Sequence, residues 1–357
     1  MNRIDLEKYL SAGTEALVRD IIKAAFGNPA GSAFFAKYAL SAKKAERRRH
    51  QLEEAGEHIP SFLIASITEN CNLQCAGCYD RANHACRGRD EMSRDEWGRV
   101  FGEAEDIGIS AILLAGGEPM TRMDILEEAA GHPAILFPVF TNGTMFSGEE
   151  LRLFEKSRNL IPIISVEGGE ELTDIRRGKG IYIKTIEAMR ELQKKKILFG
   201  ASVTVTAINI TEVTGAGFIS NLRDKGCRAA IFVEYVPVES PELALADTER
   251  GYLAGRVQAL REESDMIIIS FPGDEAEAGG CLAAGRGFFH INAGGGAEPC
   301  PFSPYSDTGL KTTPLRDALK SPLFTKLRDG EALLREHKGG CVLFDQTDLV
   351  KSLAAKV

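Results

Sequence analysis

The spacing of apolar positions changes character near residue 60. Before it, Ile4, Leu6, Leu10, Leu17, Ile21 and Ile22 form one stripe at helical spacing, which Gly27-Asn28-Pro29 breaks. A second helix is expected from about Ser32 to Ala55, carrying Phe34, Phe35, Tyr38 and Leu40. It ends in Lys43, Lys44, Arg47, Arg48 and Arg49, which read as a solvated face; an acidic partner or a membrane surface is the alternative. After Ser61, short β-prone runs alternate with amphipathic stretches. The runs are 62–67, 111–115, 135–140, 161–166, 201–207 and 229–236, and the helical stretches include 94–107, 149–156, 184–195 and 219–225. Six strands alternating with helices predict βαβ units and a parallel sheet. Right-handed crossovers wind such units into a full or partial TIM-like barrel, with chemistry at the C-terminal ends of its strands.

Past Pro241 the alternation fades. A helix over 244–263 and a strand over 266–271 are expected, then a loop-rich tail with glycine clusters at 279–280, 294–296 and 339–340. The pattern divides the chain into a helical extension over 1–58, a barrel over 59–240 and a small domain over 241–357.

Composition narrows the class. The chain has 357 residues, 44% hydrophobic and 26% charged, which excludes a disordered or fibrous protein. Its formal net charge of −8 argues against nucleic-acid binding through a broad basic surface. The first residues are charged where the apolar part of a signal peptide would begin, and apolar runs such as 111–115 are too short to cross a bilayer. A cytoplasmic protein is expected. Cysteines rarely pair there, so eight of them point to metal binding or catalysis.

Three follow the first expected strand directly, in Cys71-Asn72-Leu73-Gln74-Cys75-Ala76-Gly77-Cys78-Tyr79. C-x3-C-x2-C lets one loop wrap a single metal centre at the functional end of a barrel. Four thiolates complete a [4Fe–4S] cluster, and three leave one iron open. Structural zinc wants four ligands, and His84 or Cys86 would have to supply the last. Chance clustering of buried thiols is a weaker account of three cysteines so closely spaced.

This loop resembles the signature of the radical S-adenosylmethionine (SAM) superfamily. The resemblance implies that Cys71, Cys75 and Cys78 hold a [4Fe–4S] cluster whose open iron chelates SAM. The reduced cluster then cleaves SAM to methionine and a 5′-deoxyadenosyl radical, which abstracts a hydrogen atom. Many members have an aromatic residue before the third cysteine; here Gly77 stands there, with Tyr79 beyond. Gly116-Gly117-Glu118-Pro119 resembles the family motif that contacts the SAM amino group. Asn142, in Thr141-Asn142-Gly143-Thr144, and Ser165, ahead of Val166-Glu167-Gly168-Gly169, stand where relatives approach the cofactor and its ribose. Arg176 or Arg177 resembles an arginine that pairs with the SAM carboxylate; either is equally read as a surface charge. Strand five, ending Ala207-Ile208-Asn209, resembles the family's strand and its Asn ending. The resemblance covers roughly 60–240 and implies a partial (β/α)6 barrel.

Cys281, Cys300 and Cys341 form a second group. A short strand over 288–292, a turn at Gly294-Gly295-Gly296 and Cys300 beyond it set cysteines on either side of a hairpin. This resembles the auxiliary-cluster domains called SPASM or, when shorter, twitch. It implies a second [4Fe–4S] cluster whose fourth position is open to substrate or closed by a group such as Asp345 or His290. Scattered buried thiols are the bland alternative. Cys227 reads as structural, and Cys86 as an inert thiol, a radical-quenching donor or a ligand. The implied function is an oxygen-sensitive oxidative modification, with an electron donor such as ferredoxin or flavodoxin, on a peptide or a small molecule. A non-catalytic iron–sulfur or zinc module is the reading from a different class.

Overall fold

The computed structural model describes residues 29–82, 90–276, 279–330 and 340–355. The apolar stripe over 4–22, the Gly27-Asn28 break, His84 and Cys86 lie outside the described residues. Helix α1 spans Pro29–Glu54. The alternating region follows as β1 (Phe62–Ser66), α2 (Tyr79–Ala82), α3 (Arg94–Ile107), β2 (Ala111–Ala115), α4 (Met123–Ala130), β3 (Phe137–Thr141), α5 (Gly148–Lys156), β4 (Leu160–Ser165), α6 (Glu170–Arg177), α7 (Ile181–Lys194), β5 (Gly200–Val205), α8 (Ile210–Val213), α9 (Ala216–Asp224) and β6 (Ala229–Glu234). Then come α10 (Asp247–Glu263), β7 (Ile267–Phe271), a hairpin of β8 (His290–Ile291) and β9 (Ala297–Glu298), and short helices α11 (Leu315–Ala318), α12 (Pro322–Asp329), α13 (Val342–Asp345) and α14 (Thr347–Ala354).

The strands form one curled half-barrel sheet in the order β7-β6-β5-β4-β3-β2-β1-β8-β9. Neighbours from β7 to β1 are parallel, β8 lies parallel to β1, and only the β8–β9 pair is antiparallel. Residues after 240 therefore supply both edges: β7 extends one, and the hairpin before Cys300 extends the other.

Period-two alternation on each strand gives the sheet two faces. Leu63, Ile112, Leu114, Phe137, Val139, Ala230 and Phe232 point to the helices and are buried. Ile64, Leu113, Ile231 and Ile269 alternate with such positions and are half-buried. Helix α3 shows how sequence sets an element. Ser93 and Glu96 form a reciprocal capping box, and Gly108 ends the helix at φ +92°. Its Trp97, Val100, Phe101 and Ala104 recur at helical spacing and are fully buried. The Phe101 ring meets Phe137 edge-on at 5.1 Å and stacks near Trp97 at 5.8 Å.

Helix α1 covers the sheet rather than trailing from it. Phe35 and Tyr38 are buried against Leu136, Ile161 and Ile163, with Ala111, Phe140, Ile231 and Ile267 around them. The Tyr38 hydroxyl donates to the Ser110 carbonyl just ahead of β2, at 2.8 Å. The basic end of α1 is only partly the solvated face that its composition suggests. Arg49 is 7% exposed and donates to the Gly108 carbonyl at the end of α3. Arg48 reaches the neighbouring Asp106 carbonyl at 3.4 Å. A helix C-terminus leaves carbonyls without partners, and a guanidinium satisfies them.

Replacing Phe101 with Ala removes the ring shared by α3 and β3. A loss of about 3–5 kcal/mol is expected, read as a lowered Tm; an unchanged Tm would contradict this packing.

Candidate functional site

The C-terminal ends of β1, β2, β3 and β4 converge on the first cysteine loop. Two backbone hydrogen bonds clamp its start: Gly117 N–H to the Thr68 carbonyl and Glu118 N–H to the Asn70 carbonyl, both 2.8 Å. A methyl group at Gly116 would lie 2.3 Å from the Thr68 carbonyl oxygen, and one at Gly117 2.2 Å from that of Asn70. Both glycines are needed because the chain approaches its own cysteine loop this closely.

Glu118 joins the next strand. Its carboxylate accepts from the Met120 N–H at 3.0 Å, the Thr141 hydroxyl at 2.7 Å and the Asn142 N–H at 2.8 Å. It is 1% exposed, and burial pushes its pKa up. Asn142 continues the ties. Its side-chain amide donates to Asn72 in the loop at 2.8 Å, and Asn72 donates to Thr144 at 2.8 Å. On the outer side, Glu91 accepts from the Thr68 hydroxyl and the Glu69 N–H, and Arg122 pairs with it at 3.0 Å.

The far end of the loop is held from α6. Ala76 N–H donates to the Arg176 carbonyl at 2.9 Å. The side chains of Arg176 and Arg177 both converge on Glu167, at 2.6 Å each, and Glu167 has a 2% exposed side chain. Neither is a free surface charge. The Arg176 Nε–H, however, is buried without a hydrogen-bond partner. Ser165, also expected near the site, ends β4 half-buried opposite Ser202.

Gly77 has φ +63°, and a methyl group there would lie 2.7 Å from the Tyr235 hydroxyl oxygen. Tyr235 follows β6, and its hydroxyl accepts from the Ser240 N–H at 3.2 Å. An aromatic ring from the far side of the sheet thus occupies the space next to the position where relatives carry their own aromatic residue.

Cys71, Cys75 and Cys78 lie near enough to influence one another's ionisation. Burial pushes the Cys71 thiol up to about 11 and raises Cys78 as well. Such thiols stay protonated at neutral pH unless a cation takes the proton's place. Among the described residues, no three His, Cys, Asp or Glu side chains converge enough to hold a single metal ion. A four-iron cluster asks for something else, because each thiolate binds a different iron.

The second thiol group lies close by. Cys281 and Cys300 are buried, and Cys341 is half-buried at the start of α13. The Cys300 and Cys341 thiols hydrogen-bond each other, and Cys281 is beside them. The Ser303 hydroxyl, three residues after Cys300, is buried without a hydrogen-bond partner. Tyr79 stands between the two groups. Its ring meets Phe302, two residues after Cys300, edge-on at 5.2 Å, and burial pushes its hydroxyl pKa up. That hydroxyl bonds Ser66, whose Oγ lies 2.8 Å from His290 Nε2; His290 Nδ1 lies 2.7 Å from Glu298. Both ring nitrogens of His290 are thus committed on the sheet, which removes it as a ligand to the second group. Asp345 is exposed. Cys227 is fully buried and its thiol donates to the Ala229 carbonyl at 3.0 Å.

Residues 65–216 match the family described as the radical SAM superfamily. This stretch of the chain is a radical SAM domain. It is 28% identical over 313 residues to the AdoMet-dependent heme synthase of Methanosarcina barkeri, covering 79% of this chain and 87% of that one. It is 26% identical over 302 residues to mycofactocin maturase MftC of Mycobacterium ulcerans, covering 78% and 80%. The structure of Streptococcus suis SuiB bound to its precursor peptide SuiA has the same fold, with TM-score 0.68 and 17% identity over 89% of this chain and 78% of that one. Radical SAM enzymes use a [4Fe–4S] cluster and SAM, and no helix among the described residues is long and apolar enough to cross a membrane.

Glu91, Arg122 and Tyr235 carry no motif that would place them in this enzyme's site. Their part is set by distance in space alone. Gly77→Ala forces a side chain into left-handed backbone and against Tyr235. It is expected to lose roughly 2–4 kcal/mol, read as a lowered Tm, with part of the loss recovered in G77A/Y235A. An unchanged Tm in G77A would contradict the contact.

Proposed function

We propose that Cys71, Cys75 and Cys78 hold the SAM-binding [4Fe–4S] cluster of an oxidative enzyme, and that Cys281, Cys300 and Cys341 hold a second cluster. The observation that carries the first assignment is the clamp of strand ends on one three-thiol loop. The donor set fits: three thiols within one loop, Arg177 close to Cys75 and Cys78, and a buried, unpartnered Arg176 Nε–H on the helix whose carbonyl holds Ala76. A buried donor left open is costly unless an acceptor takes it, and the SAM carboxylate is such an acceptor. The second site has its own open donor in the Ser303 hydroxyl. When bound, the groups supply reductive cleavage of SAM to a 5′-deoxyadenosyl radical, and a second redox centre.

The chain's own residues orient and enclose. Glu118 keeps the ends of β2 and β3 together and has acceptor capacity left for an ammonium group. Asn142 fixes Asn72 and with it the middle of the loop. Glu167 holds Arg176 and Arg177 in one place, so that the open Nε–H of Arg176 is fixed rather than mobile. Tyr235 offers an aromatic face beside Gly77. Ile64 and Leu113, paired across β1 and β2, add half-buried apolar surface that helps to exclude water from a reactive carbon centre. Ferredoxin or flavodoxin is the class of external donor.

For substrate we favour a heme precursor. The support is the heme synthase relative, whose similarity covers 79% of this chain and 87% of its own length. The peptide reading has its own support in mycofactocin maturase and in the fold of SuiB. Reduced enzyme given SAM is expected to form 5′-deoxyadenosine, and C71A/C75A/C78A to form none. An iron porphyrin bearing propionate side chains is expected to raise that yield and to be changed in mass. SAM cleavage by the triple variant would refute the site, and an unchanged porphyrin beside a modified peptide would move the substrate to the other reading.

A further inference from the structure

The second thiol group includes a buried acid that no motif marks. Glu275 lies in the 3₁₀ turn Gly273–Ala276 that follows β7. It is 3% exposed. The Gly280 N–H donates to its carbonyl at 3.2 Å, so the chain folds back and brings Cys281 beside it. The Glu275 carboxyl hydrogen-bonds the Cys281 thiol. Cys281 adjoins Cys341, which bonds Cys300. A buried carboxyl, two buried thiols and the half-buried Cys341 thus come from three separate segments into one neighbourhood. Arg286 lies beside Cys281 and Glu275, and its guanidinium donates to the Cys281 carbonyl.

Three thiols must lose protons to bind iron, and a carboxylate among them would then be a fourth buried negative charge. Sharing the positive group that the thiolates bind satisfies that carboxylate; keeping its proton is the other way to satisfy it, and the two differ in whether Glu275 touches iron. The other two candidates for this role are placed badly: His290 is committed to Ser66 and Glu298, and Asp345 is exposed. Carboxylate oxygen is an established donor to iron alongside nitrogen and sulfur.

We propose that Glu275 is the fourth protein ligand of the second iron–sulfur site, so that all four of its irons are held by this chain and none is open to substrate. The proposal rests on the reading that Cys281, Cys300 and Cys341 hold a cluster. It makes the second centre one that passes electrons or braces the fold, rather than one that grips substrate.

The test uses the full chain in the C71A/C75A/C78A background, which isolates the second site. Anaerobically reconstituted protein with Glu275, E275Q and E275C is compared by Mössbauer and electron paramagnetic resonance spectroscopy, before and after mild ferricyanide oxidation. The Glu275 protein is expected to keep four irons. E275Q is expected to lose one and give a [3Fe–4S] signal, and E275C to keep four with a changed reduction potential. E275Q holding four irons with the parent spectrum would overturn the proposal, as would loss of all iron in both variants. If the background with Glu275 intact binds no iron, the three-cysteine reading itself fails and the proposal falls with it.

Discussion

The close approach of two glycines to the cysteine loop is the contact on which the site depends. Gly116 and Gly117 let β2 hydrogen-bond the backbone at Thr68 and Asn70, where any side chain would sit within about 2.3 Å of a carbonyl oxygen. With that contact made, Glu118 is carried to the end of β3, and its three hydrogen bonds lock two strand ends to one loop. A loop rich in thiols has little apolar surface of its own to bury. It must borrow its shape from the sheet, and this is how it does so.

The same sheet carries the second thiol group. Strand β8 pairs with β1 through Ile64 and His290, and the hairpin leads within two residues to Cys300. Tyr79, one residue from Cys78, packs on Phe302, two residues from Cys300. The two groups are therefore fixed to one rigid body by a strand pair and an aromatic contact. Helix α1 braces the opposite part of the sheet, with Phe35 and Tyr38 among the residues of β3, β4 and their neighbours.

Much of this was legible in the sequence. The strands from 62 to 271 and helices α3, α5, α7, α9 and α10 follow from a clean change of hydrophobic period, and their ends fall within a few residues of expectation, whereas α4 and α6 carried no such signal. The first cysteine group stands out because cysteine is scarce and its C-x3-C-x2-C spacing is chemically restrictive; the second is scattered over sixty residues and is gathered only by the fold. Side-chain partners were not legible. Nothing local says that Arg176 and Arg177 share Glu167, that Arg49 is buried on the end of α3, or that Tyr235 fills the space beside Gly77. Each is a meeting of segments far apart in the chain, set by how the sheet curls. Glu275 belongs with them: a single acid in a loop is unremarkable until folding places it against Cys281. Nor does anything local say that the loop backbone at Thr68 and Asn70 lies against the glycine pair.

The most direct test of two clusters on one sheet is iron and acid-labile sulfide per chain in anaerobically prepared protein. Wild-type chain is predicted to hold about eight irons and eight sulfides, and each triple Cys→Ala variant, at 71/75/78 or at 281/300/341, about four of each. Four irons in the wild type that vanish with either triad, or zinc without sulfide, would contradict the account.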